Sequence, residues 1–401
     1  MNERELEVVW RRESPHVLAA LLRRHGDLAD CEDAAQEALE AAAKQWDPPP
    51  ENPRGWLITV ASRRLIDRAR ADAARADREQ AVAEEPPRPE PPGRDDSLEL
   101  LLLCCHPALT RTSQVALTLR AVSGLSTAEI AAAFLVPEAA MGQRLSRSRA
   151  TLRDTGARFG RPAPDELPAR VAAVLDVLHL VFNEGYTRSA GDALLDGELT
   201  REAIRLTREL ARALPDHHEV AGALALMLLT QAREPARADE RGDLVPLADQ
   251  DRSRWRREEI AEGVAILERV LPRGPVGRFQ LQAAIAAVHA EAPDAAATDW
   301  AQIEALYDML ERVAPGPAVT LNRAVAVGMV SGPAAGLTIV DGLLGDPRMG
   351  RHHRTHAVRA HLLELAGDRA GAAQAYGRAA ALTASLPEQR YLNRRAAEAR
   401  R

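Results

Sequence analysis

The chain has 401 residues, 46% of them hydrophobic but only 3% aromatic, and a formal net charge of −6. That length allows about two or three domains, and a composition rich in Ala and Leu favours helices. The negative balance excludes a general polyanion binder, so any nucleic-acid surface must be local. Arginine supplies nearly all the positive charge, with Lys44 the only lysine, so arginine count alone carries no functional meaning. Cys31, Cys104 and Cys105 are too few for a disulfide framework and fit a reducing compartment. No charged-then-apolar leader opens the chain, and no run approaches the roughly 18 apolar residues of a membrane span. The expectation is a cytoplasmic protein with no membrane partner.

Hydrophobic periodicity predicts helices over residues 15–25, 28–46 and 52–78, separated by Gly26 and a PPPENP run. In the second, Asp33, Gln36, Glu37 and Glu40 share one side, opposite Leu28, Cys31, Ala35, Ala38, Leu39 and Ala42. Phosphate would repel such a stripe, whereas a basic protein partner would suit it; a solvated polar face has the same pattern. The third helix has an apolar face of Trp56, Leu57, Val60, Ala61 and Leu65. Arg63, Arg64, Arg68, Arg70, Arg75 and Arg78 make it locally basic despite Asp67, Asp72 and Asp77. Arginines along one helix can hold phosphates and reach base edges, although alternating Arg and Asp also describes a salt-bridged surface helix. Residues 79–96, charged and proline-rich, then read as a flexible linker.

A second block, residues 97–158, contains STAEIAAAFLVPEAAMGQRLSRSRATLR, which reads as a helix-turn-helix. Ser126 and Glu129 have the spacing of a capping box. Ile130, Ala131, Phe134 and Leu135 give the first helix its apolar face. Pro137 cannot continue that helix but suits the first position of a new one. The second helix turns Met141, Leu145 and Leu152 inward. Its other faces carry Gln143, Arg144, Ser146, Arg147, Arg149 and Arg153, the donors that base edges and phosphates need. Gly142 within it costs up to about 1 kcal/mol relative to alanine, or lets the backbone approach DNA.

After a second proline-rich break, residues 165–401 are helical almost throughout, with helices predicted over 170–182, 198–214, 220–233, 256–270, 279–289 and 300–313. Gly332 and Gly367 lie 35 residues apart, and Gly367, Ala372, Tyr376 and Ala379 have the spacing of a tetratricopeptide-like helix pair. Two degenerate copies fit stacked pairs with a concave face, or an irregular helical bundle. Asn183, Glu184, Tyr186, Asp251 and Arg254 form polar clusters beside aromatics, a candidate face for a small ligand or a protein partner. Helix caps and buried hydrogen-bonded pairs would have the same composition.

The Cys104–Cys105–His106 run sits in an apolar context and lacks the second ligand pair of a zinc site. His352, His353 and His356 lack the glutamate of a HExxH helix. Neither a phosphate-binding P-loop nor a serine-nucleophile elbow is present, so no metal, no cofactor and no catalytic residue is expected, and the chain is not read as an enzyme.

The segments DLADCEDAAQEALEAA and NPRGWLITVASRRLIDRAR, with a tryptophan before the proline-rich turn, closely resemble domain 2 of extracytoplasmic-function sigma factors of the sigma-70 family. LLLCCHPALTRTSQVALTLRAVSGLSTAEIAAAFLVPEAAMGQRLSRSRATLR resembles their domain 4. VFNEGY, LADQDRSRW, QAAIAAVHA, TDW and LNRAVA are similar to the tetratricopeptide-like C-terminal extension of one sigma subgroup. The resemblance implies an all-α chain with two small sigma domains, residues 1–78 and 97–158, and a helical domain over 165–401. It implies two partners, core RNA polymerase and promoter DNA. Asp33, Gln36, Glu37 and Glu40 would grip the polymerase. Arg63, Arg64, Arg68 and Arg70 would engage the −10 element, and Ser126, Thr127, Glu138, Gln143, Arg144, Arg147 and Arg149 the −35 element. Trp56 without an aromatic cluster implies modest melting power, since opened bases are usually captured on aromatic platforms. The size of the C-terminal block suggests regulation in cis. Two other readings stand beside this one: a helix-turn-helix regulator that binds DNA alone and senses a ligand, and an enzyme with a carboxylate site at Glu184 or Asp251.

Overall fold

The structure is a computed structural model that describes residues 3–76, 96–134 and 136–401. The expected linker lies outside the described residues except for Asp96, as do Asp77, Arg78 and Leu135, and nothing is described of the Asp72 and Arg75 side chains. The all-α expectation holds. The chain folds as two compact units, Met1–Leu178 and His179–Arg401, and among the described residues no helix is long and apolar enough to cross a membrane.

The first unit opens with α1 (Glu3–His25), α2 (Leu28–Gln45) and α3 (Pro53–Ala76), which pack on one another. Helix α1 begins a dozen residues before the predicted start, because Pro15 lies inside it rather than at its first position. A proline inside a helix removes one backbone bond and strains the preceding turn. Trp10 before it and Val17, Leu18, Leu21 and Leu22 after it are all buried, and that shared apolar face carries the helix through. Gly26 takes a left-handed φ of 81° and Asp27 caps α2 by accepting from the Ala29 and Asp30 amides. Asn52 accepts from the Gly55 amide at 2.9 Å, and Pro53 opens α3.

Next come α4 (Ser97–Cys104), α5 (Arg111–Ala121), α6 (Thr127–Ala133) and α7 (Glu138–Asp154). The Leu100–Leu103 run, Cys104 and Cys105 are buried, as the apolar reading of that segment requires. Burial pushes the Cys105 thiol up to about 12, so it stays protonated and unreactive at neutral pH. This second group packs on the first through α1 with α4 and α5, and through α2 with α7, so the two sequence blocks form one unit.

Helix α8 (Leu167–Tyr186) carries the division between units. In the second unit follow α9 (Gly197–Ala213), α10 (His218–Gln231), α11 (Arg257–Val270), α12 (Arg278–Glu291), α13 (Trp300–Val313), α14 (Pro317–Ser331), α15 (Pro333–Leu343), α16 (His353–Leu365), α17 (Arg369–Leu382) and α18 (Leu386–Ala399). From α12 to α18 each helix packs on the next. Gly332 and Gly367, at φ 94° and 81°, turn the chain between α14 and α15 and between α16 and α17. The 35-residue spacing therefore marks two successive helix–turn–helix pairs. The C-terminal end of the run is also tied back to earlier segments of the same unit. Strand β1 (Ala190–Gly191) pairs in parallel with β2 (Ala384–Ser385), in the register Ala190–Ala384 and Gly191–Ser385. Asp243, which is buried, holds Arg390 at 2.5 Å and Arg394 at 3.4 Å on α18.

Candidate nucleic-acid interface

Helices α6 and α7 form the helix-turn-helix. The Ser126 hydroxyl accepts from the Glu129 amide at 3.1 Å, and the Glu129 carboxylate accepts from the Ser126 amide at 2.7 Å, completing the capping box. Pro137 sits one position earlier than expected, as the cap of α7 rather than its first residue. Met141, Leu145 and Leu152 are buried as predicted, each worth roughly 1.5–3 kcal/mol. On the opposite side Glu138, Gln143, Ser146, Arg147 and Arg153 are exposed, while Thr127 and Arg144 are half-buried. The Arg144 guanidinium lies 6.0 Å from the centre of the Phe134 ring. A Cβ at Gly142 would meet nothing within 4 Å, so no neighbour in the fold demands glycine there.

Arg149 faces the other way. It reaches Glu32 on α2 at 3.1 Å, with Arg120 of α5 on the other carboxylate oxygen at 3.5 Å. Glu32 is 6% exposed, and burial, helped by the Asp33 charge, raises its carboxyl above the ordinary range against the pull of Arg149 and Arg120. Further ion pairs join the two halves of this unit: Arg11 with Glu129, Arg23 with Asp96, and Arg153 with Asp27 at 3.7 Å. Gly124, at φ 67°, brings its turn against α1, where an added Cβ would stand 2.6 Å from the Ser14 hydroxyl. A cavity of about 340 Å³ between the halves is lined by Leu6, Trp10, Arg11, Gln36, Leu39, Arg120, Gly124, Ser126 and Glu129.

The acidic stripe of α2 is divided by these contacts. Asp33 and Glu40 are exposed, and Gln36 faces the cavity. Glu37 pairs with Arg68 and, at 3.6 Å, with Arg64 on α3. Two of the four arginines expected to meet DNA thus hold a carboxylate, while Arg63 and Arg70 are exposed and make no ion pair among the described residues. Trp56 is half-buried, packed edge-on against the buried Trp46 with ring centres 5.3 Å apart.

In the second unit the polar clusters are mostly local architecture. Asp251 accepts from the Ser253 amide at 2.9 Å and caps the short turn Arg252–Arg254. Glu184 accepts from the Ser189 amide at 3.1 Å. Tyr186 stacks on Phe182 at 5.7 Å and lies under the Arg237 guanidinium at 3.6 Å. Asn183 and Arg254 are exposed. The histidines of the RHHRTH segment have separate tasks: His352 caps α16, His353 lies 3.2 Å from Glu388, and His356 bonds the Gly350 carbonyl at 2.9 Å. Sequence reading missed Glu32, Arg120, Arg11 and Arg237, because each is defined by a partner far along the chain and no local spacing announces it.

Comparison with known proteins agrees with this layout. Residues 9–75 match Sigma-70 region 2, and residues 99–152 match Sigma-70, region 4. Residues 170–271 match a family of unknown function (DUF6596). An uncharacterized protein of Rhizobium meliloti (strain 1021) is 41% identical over 390 residues, covering 94% of this chain and 92% of that protein. No solved structure matches the chain. With regions 2 and 4 in order and a helix-turn-helix inside the second match, the chain belongs to the sigma-70 family: it is a sigma factor, a protein that binds core RNA polymerase and promoter DNA.

Proposed function

We propose that the chain is an extracytoplasmic-function sigma factor acting in the cytoplasm, with a tetratricopeptide-like C-terminal domain that regulates it in cis. Residues 1–78 contact core polymerase through Asp33, Gln36, Glu37 and Glu40, and the −10 element through Arg63, Arg64, Arg68 and Arg70. Residues 97–158 contact the −35 element through Ser126, Thr127, Glu138, Gln143, Arg144, Arg147 and Arg149. Residues 165–401 form the regulatory domain, with Asn183, Glu184, Tyr186, Asp251 and Arg254 as its partner face.

The observation that supports this reading most strongly is α7, a helix with three buried apolar anchors and a row of long donors left to solvent. Only residues 76–98 separate the two sigma matches, a short connection that suits the small extracytoplasmic type. The relative aligns over almost the whole chain, so in both proteins the extension belongs to the same polypeptide as the sigma regions, as cis regulation requires. Arg149, Arg64, Arg68 and Glu37 now hold partners inside the first unit. Full engagement of polymerase and DNA therefore demands that those ion pairs exchange, and binding by the free protein is weak.

The test is promoter-directed transcription by core polymerase with the full-length chain. Arg147→Ala and Gln143→Ala are expected to lose at least tenfold in transcript yield while unfolding at the wild-type temperature, since neither residue contributes to the core. Undiminished transcription by both variants would refute the assignment of α7. For regulation in cis, Asp243→Asn loosens the tie between the α10–α11 segment and α18 and is expected to change transcript yield. An unchanged yield with a lowered unfolding temperature would contradict it.

A further inference from the structure

The segment between α10 and α11 brings together arginines that form no ion pair with a carboxylate of the described residues. Arg237 is 7% exposed, yet among the described residues its guanidinium donates only to the Tyr186 carbonyl and, at 2.8 Å, to the Thr187 hydroxyl. Arg252 is 8% exposed and spends one Nη on the carbonyls of His289, at 2.7 Å, and Ala292. Arg233 is half-buried, and its Nε is shut away from solvent without a hydrogen-bond partner. Among the described residues none of the three makes an ion pair.

Arg233 acts on both of the others, and the turns Glu234–Ala236 and Arg252–Arg254 that carry the cluster lie against each other. Arg233 and Arg354 both oppose the charge of Arg237, and Arg233 opposes that of Arg252. Burial, reinforced by Arg233 and Arg252, pushes His289 of α12 down to about 4, so the imidazole is neutral. Tyr307 of α13 lies within reach of the Arg233 charge. The acidic groups that act on the cluster are Glu388 and Asp294, and both are engaged. Glu388 faces His353 at 3.2 Å and the Thr383 hydroxyl at 2.9 Å, while Asp294 accepts from the Ala297 amide at 2.8 Å.

Burying a cation without a counter-charge is costly, and structures resolve it by pairing or by binding an anion. A guanidinium has five N–H donors in a planar fork that matches oxyanions two atoms at a time, and most of these donors remain unspent here. We propose that the C-terminal domain binds a small oxyanion ligand, a molecule bearing a phosphate or carboxylate group, at Arg233, Arg237 and Arg252. Arg237 and Arg252 are held in place by their carbonyl contacts and form the fixed floor. Arg233, unbonded, closes on the ligand. The inference goes beyond the sigma-factor reading and does not depend on it, because its readout is binding and not transcription.

The test uses the full chain and isothermal titration with inorganic phosphate and, separately, succinate, each against chloride at matched ionic strength. Saturable binding of one of the two is expected, and which one binds identifies the anion class. Arg233→Met should weaken it at least tenfold, while Arg269→Gln, an exposed arginine of α11 outside the cluster, should leave it unchanged. Without added oxyanion, Arg233→Met should unfold at the wild-type temperature or above, since a charge with no partner has been removed. Absence of saturable binding by both probes, equal binding by Arg233→Met, or a clear fall in its ligand-free unfolding temperature would each overturn the proposal.

Discussion

Two residues of the first unit show how local and distant forces divide the work. Gly142 lies in the middle of α7 with open space where a side chain would stand, so the fold itself does not require it. Gly142→Ala is therefore expected to stabilise the unit by up to about 1 kcal/mol, read by chemical denaturation. If transcription also falls, the backbone at that position approaches DNA. Glu32 is the opposite case, fixed by tertiary packing. Because burial raises its carboxyl, protonation favours the packed state over one in which Glu32 meets water. The stability linked to this group is fully present below the ordinary glutamate range and lost as pH rises through the raised value. Hydrogen exchange of α2 in the wild type should accordingly slow, after correction for the intrinsic rate, as pH is lowered through that window, and Glu32→Gln should abolish the dependence. A wild type and a Glu32→Gln variant with the same pH profile would refute the linkage. The capping box at Ser126 and Glu129 was legible because its partners are three residues apart. The Glu32–Arg149 pair was not, because its partners are more than a hundred residues apart and periodicity sees only one helix at a time.

At the scale of elements, the apolar faces were the reliable signal. Helices α2, α7 and α13 lie where their spacing put them, and the buried positions of α7 are the ones its pattern nominates. What the pattern could not supply is which polar face meets which partner. Helix α7 presents Arg147 to solvent but turns Arg149 onto Glu32, two residues along the same donor run. The two arginines should therefore separate cleanly. Arg149→Ala leaves a buried carboxylate with less compensation and is expected to destabilise the first unit by about 1–3 kcal/mol. Arg147→Ala is expected to leave stability unchanged. Equal stability of the two variants in urea would mean that the Glu32 contact carries no weight. The start of α1 was misplaced for a related reason: proline is a helix starter by local rules, and only the buried face on both sides of Pro15 overrides them.

For the whole molecule, the boundary between units has a practical consequence. Helix α8 begins in the first unit, where Arg170 donates to the Leu102 carbonyl at 3.3 Å and Asp176 accepts from Arg111 at 2.7 Å. A chain ended at Arg161 loses both contacts, so it is expected to unfold at a lower temperature than a chain ended after Tyr186. Any loss of transcription on such a truncation must first be separated from that destabilisation. The order of the two sigma regions was legible from sequence because each carries its own motifs. The packing of the two as one unit was not, since it rests on ion pairs such as Arg23 with Asp96 and Arg11 with Glu129 that join distant segments. What this molecule does with polymerase is read directly by single-round transcription with core enzyme on a genomic promoter library. Discrete start sites that appear only when the chain is added to core enzyme are expected, together with weak binding of the same promoters by the chain alone. Absence of transcripts, with tight and specific DNA binding in the absence of polymerase, would contradict it and indicate a regulator that acts on DNA by itself.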